Sequence, residues 1–362
     1  VNRMIDTTVH FIVPEGIDDD VRVSGGNVYD RRLAEALRAR GLLVRVIPVA
    51  SGNVADAARV MSALPREGLV LIDGLVAVAA SEALEANSAR LRIVVLAHMV
   101  ASALPGPLGE AETAGREREA LRAARRVIAT SEWTRAELVA RGLAEPDRTA
   151  VARPGADPAP AATGSESGGH LVCVGAVTPH KGQDVLVRAL AGLTDLPDWT
   201  CTIVGSLDAD HDFAMEMLAA IGSTGLGERV KVTGVRTGRR LADVYRAADL
   251  VVASSRVESY GMVIAEALAR GIPVVAANVG GVPEAIAGNA AGILIPPDDP
   301  VALRAVLRRW LEDREWRAGL ASTALRSRRV TRTWDDAAAI AAGVLSEVPA
   351  IDVIGSEGRG AG

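Results

Sequence analysis

The sequence predicts an α/β protein of two doubly wound domains, each a parallel sheet with helices on both faces, set across a cleft from one another. Three observations predict it. Apolar runs of strand length alternate with helical stretches, and the alternation occurs twice along the chain. A Pro/Gly/Ser/Ala-rich stretch at 154–169, PGADPAPAATGSESGG, separates the two rounds and has the composition of a domain boundary. The chain has 362 residues and 49% hydrophobic content, which exceeds one ordinary domain and suits two of about 150–180 residues.

In the first half the apolar runs fall at 9–13, 43–49, 69–72, 93–97 and 127–129, with helical stretches that include 29–40 and 115–125. In the second half they fall at 171–174, 200–204, 230–232, 250–253, 274–276 and 293–295. The segment 260–270 reads as a helix that Gly271 stops, and Pro273 opens the next strand. A last helix is expected over 334–346, followed by a mobile tail. The boundaries that follow are 1–155 for the first domain, 156–169 for the linker, 170–333 for the second domain and 349–362 for the tail.

Composition excludes several classes. A net charge of −5 recommends no nucleic-acid partner. No run of eighteen apolar residues crosses a membrane, and the first residues lack an apolar stretch of signal-peptide length. Cys173 and Cys201 both sit in strand-like runs and read as reduced core residues, so a cytoplasmic protein is expected. Asp18, Asp19 and Asp20 read as solvated loop charge, and no His/Cys/Asp group has ligand spacing, so no metal is expected. Arg122, Arg125 and Arg126 share their stretch with Glu117 and Glu119, which reads as a salt-bridged surface rather than a lipid-binding stripe. The loop Ser24-Gly25-Gly26-Asn27 is not G-x-G-x-x-G, which argues against a dinucleotide oxidoreductase. Its paired glycines still allow close backbone approach to an anion. His98 ends the run RIVVLAH at the carboxyl end of a strand, the edge that lines the cleft in a wound sheet.

The stretch 255–284, SRVESYGMVIAEALARGIPVVAANVGGVPE, carries the most information. It holds Glu258 and Glu266, eight positions apart, the second inside the expected helix. Eight steps of about 100° leave a net offset near 80°, so the two carboxylates are expected on one side of one helix end. Free N–H groups and partial positive charge at that end suit a diphosphate, and Gly261 lets the backbone come close. Lysine stands only at 181 and 231 among 40 basic residues, so Lys181, in the glycine-bounded loop 175–182, is a candidate for required chemistry.

These residues resemble the glutamate-pair motif of the retaining glycosyltransferases of family 4, which have the GT-B fold of two Rossmann-like domains. The matching pieces are Ser254-Ser255, Glu258-Ser259-Tyr260-Gly261, Glu266-Ala267, Gly271-Ile272-Pro273-Val274-Val275 and Gly280-Gly281-Val282-Pro283-Glu284. The loop Gly175-Ala176-Val177-Thr178-Pro179-His180-Lys181-Gly182 is similar to the family's G-R-L-x-x-x-K-G, except that Ala176 replaces the arginine. The resemblance implies that a nucleoside-diphosphate sugar (UDP- or GDP-linked) is the donor and co-substrate, with no cofactor and no metal. It assigns the ribose to Glu266, sugar hydroxyls to Glu258, and the diphosphate to Lys181 and the N–H groups of Ser259, Tyr260, Gly261 and Met262. His98 is expected to reach the sugar from the first domain, and Gly25 and Gly26 to lie against diphosphate and acceptor. Gly205 and Val235 are expected to frame the base, Thr178 to assist at the phosphates, and the stretch 280–284 to act as scaffold. The last helix, taken as 334–348, is expected to cross back to the first domain. The acceptor stays open among a small molecule, a glycan and a lipid, and peripheral membrane contact is not indicated. Two alternatives are a sugar-nucleotide epimerase on the same fold and a non-catalytic nucleotide-sugar-binding subunit, the latter suggested by Ala176.

Overall fold

The computed structural model describes residues 7–19, 23–50, 53–103, 109–286, 290–328 and 332–350. The first sheet has six parallel strands, β1 (Val9–Pro14), β2 (Val44–Val49), β3 (Leu69–Asp73), β4 (Arg92–Ala97), β5 (Arg126–Ala129) and β6 (Thr149–Val151), in the order β2-β1-β3-β4-β5-β6. The helices α1 (Gly25–Ala39), α2 (Val54–Ala63), α3 (Gly74–Ala79), α4 (Ser81–Asn87), α5 (Glu110–Ala123) and α6 (Glu132–Ala140) connect them. The second sheet has six more parallel strands, β7 (His170–Val174), β8 (Thr200–Val204), β9 (Val230–Val232), β10 (Leu250–Ala253), β11 (Val274–Ala277) and β12 (Gly292–Ile295), ordered β12-β11-β10-β7-β8-β9. Its helices are α7 (Gln183–Ala191), α8 (His211–Ser223), α9 (Gly238–Ala247), α10 (Met262–Ala269), α11 (Val282–Ile286), α12 (Pro300–Glu312) and α13 (Arg314–Ser327). These are the two Rossmann-like sheets of a GT-B fold.

Strands such as Leu69–Asp73 are buried along their whole length, as parallel strands covered on both faces must be. Each sheet has a core on either side: Ile12, Met61, Ile72 and Leu84 against Phe11, Leu33, Leu71 and Leu96 in the first, and Leu186, Ile203 and Trp310 against Val251, Ile264 and Val274 in the second. The last helix, α14 (Trp334–Glu347), packs Ala338, Ala341, Val344 and Leu345 onto the first domain, and Trp334 meets Tyr29 edge-on. Thr333 and Asp336 close a capping box at its start.

Several expectations are corrected. The first helix begins at Gly25, not near Tyr29, because Ser24 caps it through the Asn27 N–H, so the glycine pair forms its first turn rather than a loop. Strand β6 was not expected at all. The stretch 156–169 is tied down: Ala156 donates to Arg332 O, Ala162 to Arg270 O and Thr163 to Arg246 O. Residues 351–362 of the expected tail, and Asp20 of the acidic run, lie outside the described residues.

Candidate active site

Topology decides which loops meet. From β7 the chain runs outward through β8 and β9, then returns to lay β10 on the other side of β7. The loops after β7 and β10 therefore diverge at a switch point and leave a crevice at the strands' carboxyl ends. The loop after β7 brings Lys181, and the loop after β10 brings Glu258. Their side chains meet at 2.6 Å, 28% and 20% exposed respectively. Loop-to-loop hydrogen bonds fix this register: Ser254 Oγ donates to Gly182 O at 2.7 Å and Arg256 N to His180 O at 2.8 Å. The buried Gln183 braces the loop from below, its Nε2 donating to Ala176 O at 2.8 Å and to Gly175 O at 3.3 Å.

Beside this ion pair begins α10. Its N-cap is Gly261 at φ +98°, a left-handed conformation that glycine alone adopts without strain, and no side chain caps the helix. The expected helix from Tyr260 is thus corrected to Met262–Ala269. Glu258 lies four residues before the helix, in irregular backbone between two bends, so the helical offset argument does not govern it. The two carboxylates have separate partners. Glu266, half-buried on α10, accepts from the Tyr245 hydroxyl at 2.8 Å, and the Arg270 guanidinium stacks on that tyrosine at 4.6 Å. Burial raises the Glu266 carboxyl above its ordinary range, against the opposing pull of Tyr245 and Arg270.

The turn at 280–281 is what holds Glu258 and Ser259 in place. A methyl group on Gly280 would collide with Glu258 O, and one on Gly281 with Ser259 O, while Gly281 N donates to Glu258 O at 3.0 Å. Two adjacent residues without Cβ let this turn slide directly under the motif backbone.

The first domain supplies the opposite wall. Its switch point lies between β1 and β3, whose following segments carry Gly25, Gly26 and Asp30 on α1 and Asp73 at the strand end. His98, one residue beyond β4, turns its Nε2 to Asp30 Oδ1 at 2.8 Å and Asp73 Oδ2 at 3.3 Å. All three are buried, and among the described residues Asp30 Oδ2 has no hydrogen-bond partner. Burial pulls the imidazole down, but the two carboxylates outweigh it and hold His98 up to about 10. Burial pushes Asp30 up to about 6, with His98 pulling it back down and Asp73 adding to the rise. Asp73 also accepts from the N–H groups of Leu75 and Val76, which fixes its orientation. The three donor atoms lie within 4.8 Å of one another, a grouping that chain spacing alone did not foretell.

The halves meet across the cleft. Met262 at the start of α10 packs on the first domain, its Sδ 3.8 Å from where a Gly25 Cβ would stand, and His98 lies 3.5 Å from the corresponding point on Gly26. Other expected residues serve the backbone. Thr178 is buried and donates to Ala176 O at 3.4 Å, and the Tyr260 ring is buried with Ala156, Ala265 and Ala269. Gly205 donates its N–H to Gly234 O, so that donor is not free for a base, and half-buried Val235 follows the edge strand β9. Arg256, the nearest arginine in the motif, is held by Asp184 and Asp298 and does not substitute for the arginine absent at Ala176. Glu284 is more than scaffold: it accepts from Glu132 N, Trp133 N and Arg153 Nε of the first domain. Asp30, Asp73 and Tyr245 escaped the sequence reading. Asp73 alone carried a signal, the same polar strand end that marked His98.

Residues 162–326 match the family model described as glycosyl transferases group 1. The D-inositol 3-phosphate glycosyltransferase of Salinispora tropica is 35% identical over 245 residues, which is 60% of this chain and 50% of that protein. Its counterpart in Xylanimonas cellulosilytica is 41% identical over 170 residues, covering 47% and 40% of the two chains. This chain thus spans about half the length of the curated relatives it matches. Among solved structures, the sucrose-phosphate synthase of Thermosynechococcus elongatus has a TM-score of 0.79 at 21% identity, covering 94% of this chain and 98% of that one. Anabaena Alr3699/HepE in complex with UDP-glucose has a TM-score of 0.73 at 23% identity, covering 94% and 99%. No helix among the described residues is long and apolar enough to cross a membrane. Sequence motif, family match and two-sheet architecture agree: residues 162–326 are similar to the glycosyl transferases group 1, and the whole chain has the GT-B fold.

Proposed function

We propose that this chain is a retaining glycosyltransferase that moves a sugar from a nucleoside diphosphate to a hydroxyl acceptor without a resident metal or cofactor, UDP being the leading nucleotide. The observation that carries the reading is the Lys181–Glu258 pair beside the uncapped start of α10. One cation and a row of unpaired N–H groups suit a diphosphate, and a carboxylate within 2.6 Å of that cation suits hydroxyls on the attached sugar. The presence of UDP and UDP-glucose in the similarly folded Anabaena protein supports the choice of UDP.

In this reading the N–H groups of Ser259, Tyr260, Gly261 and Met262, with Lys181, stabilise charge as it builds on the departing diphosphate. Glu266 holds the ribose through the oxygen that Tyr245 leaves free. Glu258 holds the transferred sugar, and Gly25 and Gly26 line the diphosphate and acceptor side. Gly205 and Val235 border the base, while Thr178 keeps the Lys181 loop in shape. His98 has Nε2 pinned between two carboxylates and stays protonated near neutral pH, so it cannot take the acceptor's proton as a base. It presents its other ring nitrogen to the sugar as a donor. The bond from the anomeric carbon to the phosphate oxygen breaks, the acceptor oxygen bonds to the same face, and the acceptor's proton passes to the leaving phosphate. The products are a glycoside of retained configuration and a nucleoside diphosphate.

Calorimetric titration with UDP, GDP and ADP, followed by NMR of the anomeric configuration of the product, tests this. Preferential UDP binding and a retained product are expected. An inverted product, or no affinity for any of the three nucleotides, overturns the proposal.

A further inference from the structure

A cleft of about 310 Å³ opens in the first domain at the carboxyl ends of β1 and β2. Its walls come from the start of α1 at Asn27, the start of α2 at Asn53 and Val54, and α3 at Leu75 and Ala79. The volume is at the lower end of the range for small-molecule sites. The cleft adjoins the reaction centre. Asn27 follows Gly26, which packs on His98, and Leu75 also lines the hollow beside His98. Among the described residues, nine of the twelve that line it carry apolar side chains, and the one charged group is the Glu15 carboxylate.

Among the described residues, two of the three helix starts that wall the cleft are already engaged, and the third, α1, carries the Gly25 and Gly26 that the donor reading gives to the diphosphate. The N-terminus of α2 is capped by Asn53, whose neighbour in the first turn, Asp56, supplies a carboxylate that accepts from Ala50 N at 3.2 Å. The N-terminus of α3 is capped by Asp73, whose Oδ1 accepts from Leu75 N at 2.8 Å and Val76 N at 3.0 Å. A phosphate entering the cleft would meet two helix ends whose partial charge is balanced by the protein's own carboxylates, with Glu15 adding repulsion. Val54 and Leu75 stand 39% and 51% exposed at its mouth, a large apolar surface for residues beside a catalytic cleft.

We infer that this cleft takes the acceptor, and that the acceptor is an uncharged, largely apolar alcohol or phenol rather than a phosphorylated polyol. The inference rests on the glycosyltransferase reading and narrows its acceptor class. Glu15 receives and orients the hydroxyl-bearing edge, and the apolar floor covers the remainder.

The test uses the full chain and 4-methylumbelliferone, a neutral phenol below its own ionisation, as fluorescent probe. Saturable binding is expected, undiminished by excess D-inositol 3-phosphate. The variants Leu75→Glu and Val54→Glu, both at exposed positions, are expected to weaken it by about tenfold or more, since each replaces apolar contact with a charge facing Glu15. Absence of saturable binding, wild-type affinity in both variants, or displacement by the phosphorylated polyol overturns the inference. Titration of UDP into the same samples separates the two readings: an intact UDP isotherm with no phenol binding removes only the acceptor assignment, whereas no UDP binding removes the donor reading.

Discussion

Burial alone would leave His98 neutral, yet Asp30 at 2.8 Å and Asp73 at 3.3 Å hold its imidazole protonated up to about 10. Replacing Asp30 by Asn removes the nearer carboxylate, and the His98 ring should then titrate about one to three pH units lower, read from its ring protons by NMR. An unshifted titration would show that Asp30 does not set the charge. The same groups couple to stability. A histidine whose folded value exceeds its ordinary 6.5 contributes stability that is complete below that value and is lost as pH rises through about 10. The stability difference between the wild type and His98→Gln should therefore shrink as denaturation is measured from pH 6.5 upward. The motif glutamates divide differently. Glu266→Ala should weaken UDP by about tenfold or more, whereas Glu258→Ala should leave UDP affinity within a few-fold and lower kcat, because its proposed partner is the transferred sugar, which UDP lacks. Equal UDP affinity in the wild type and Glu266→Ala would remove the ribose assignment. At this scale the sequence announced His98, Lys181, Glu258 and Glu266, each at a strand end or in a motif. It could not announce Asp30, an acidic residue in the second turn of a helix whose meaning depends wholly on what the fold places beside it.

Elements were legible where hydrophobic runs were long and illegible where a single backbone angle or a few residues decided. All eleven expected strands form, but β6, with Thr149–Val151 at the sheet edge, is too short to stand out from its surroundings. The helix after Glu258 was placed too early because its apolar pattern cannot show that Gly261 turns left-handed and postpones the start to Met262. That late start is what exposes the N–H row. The neighbouring turn at 280–281 keeps it there, and the contact is unforgiving. Gly281→Ala should push the Ser259 carbonyl away, lowering stability by about 1–3 kcal/mol and kcat/KM by about tenfold or more. Thermal unfolding and steady-state kinetics would both register it, and an unaltered kcat/KM would mean that the 280–281 turn does not position the motif.

At the scale of the whole molecule, each domain brings half of a site, so the cleft must close with a defined register. Besides α14, two contacts provide it. Met262 seats on the first domain next to Gly25, and Glu284 places both carboxylate oxygens on the start of α6, Oε1 on Trp133 N at 2.7 Å and Oε2 on Glu132 N at 2.9 Å, with Arg153 at 3.0 Å completing the clasp. A carboxylate on a helix N-terminus gains from the free N–H groups and from the local positive potential. Glu284 lies just beyond the 280–281 turn, so the same short segment that supports Glu258 also reports whether the first domain has docked. On the proposed function, Glu284→Ala should then leave UDP affinity within about twofold, since the nucleotide contacts proposed lie in the second domain, while lowering kcat because His98 would no longer meet the sugar in register. Small-angle scattering should show a larger radius of gyration for the variant than for the wild type. A variant with wild-type kcat and unchanged dimensions would mean that closure is set by Met262 and α14 alone. The sequence offered Glu284 only as part of a motif, because a contact between residues 132 and 284 exists only after both domains have folded and met.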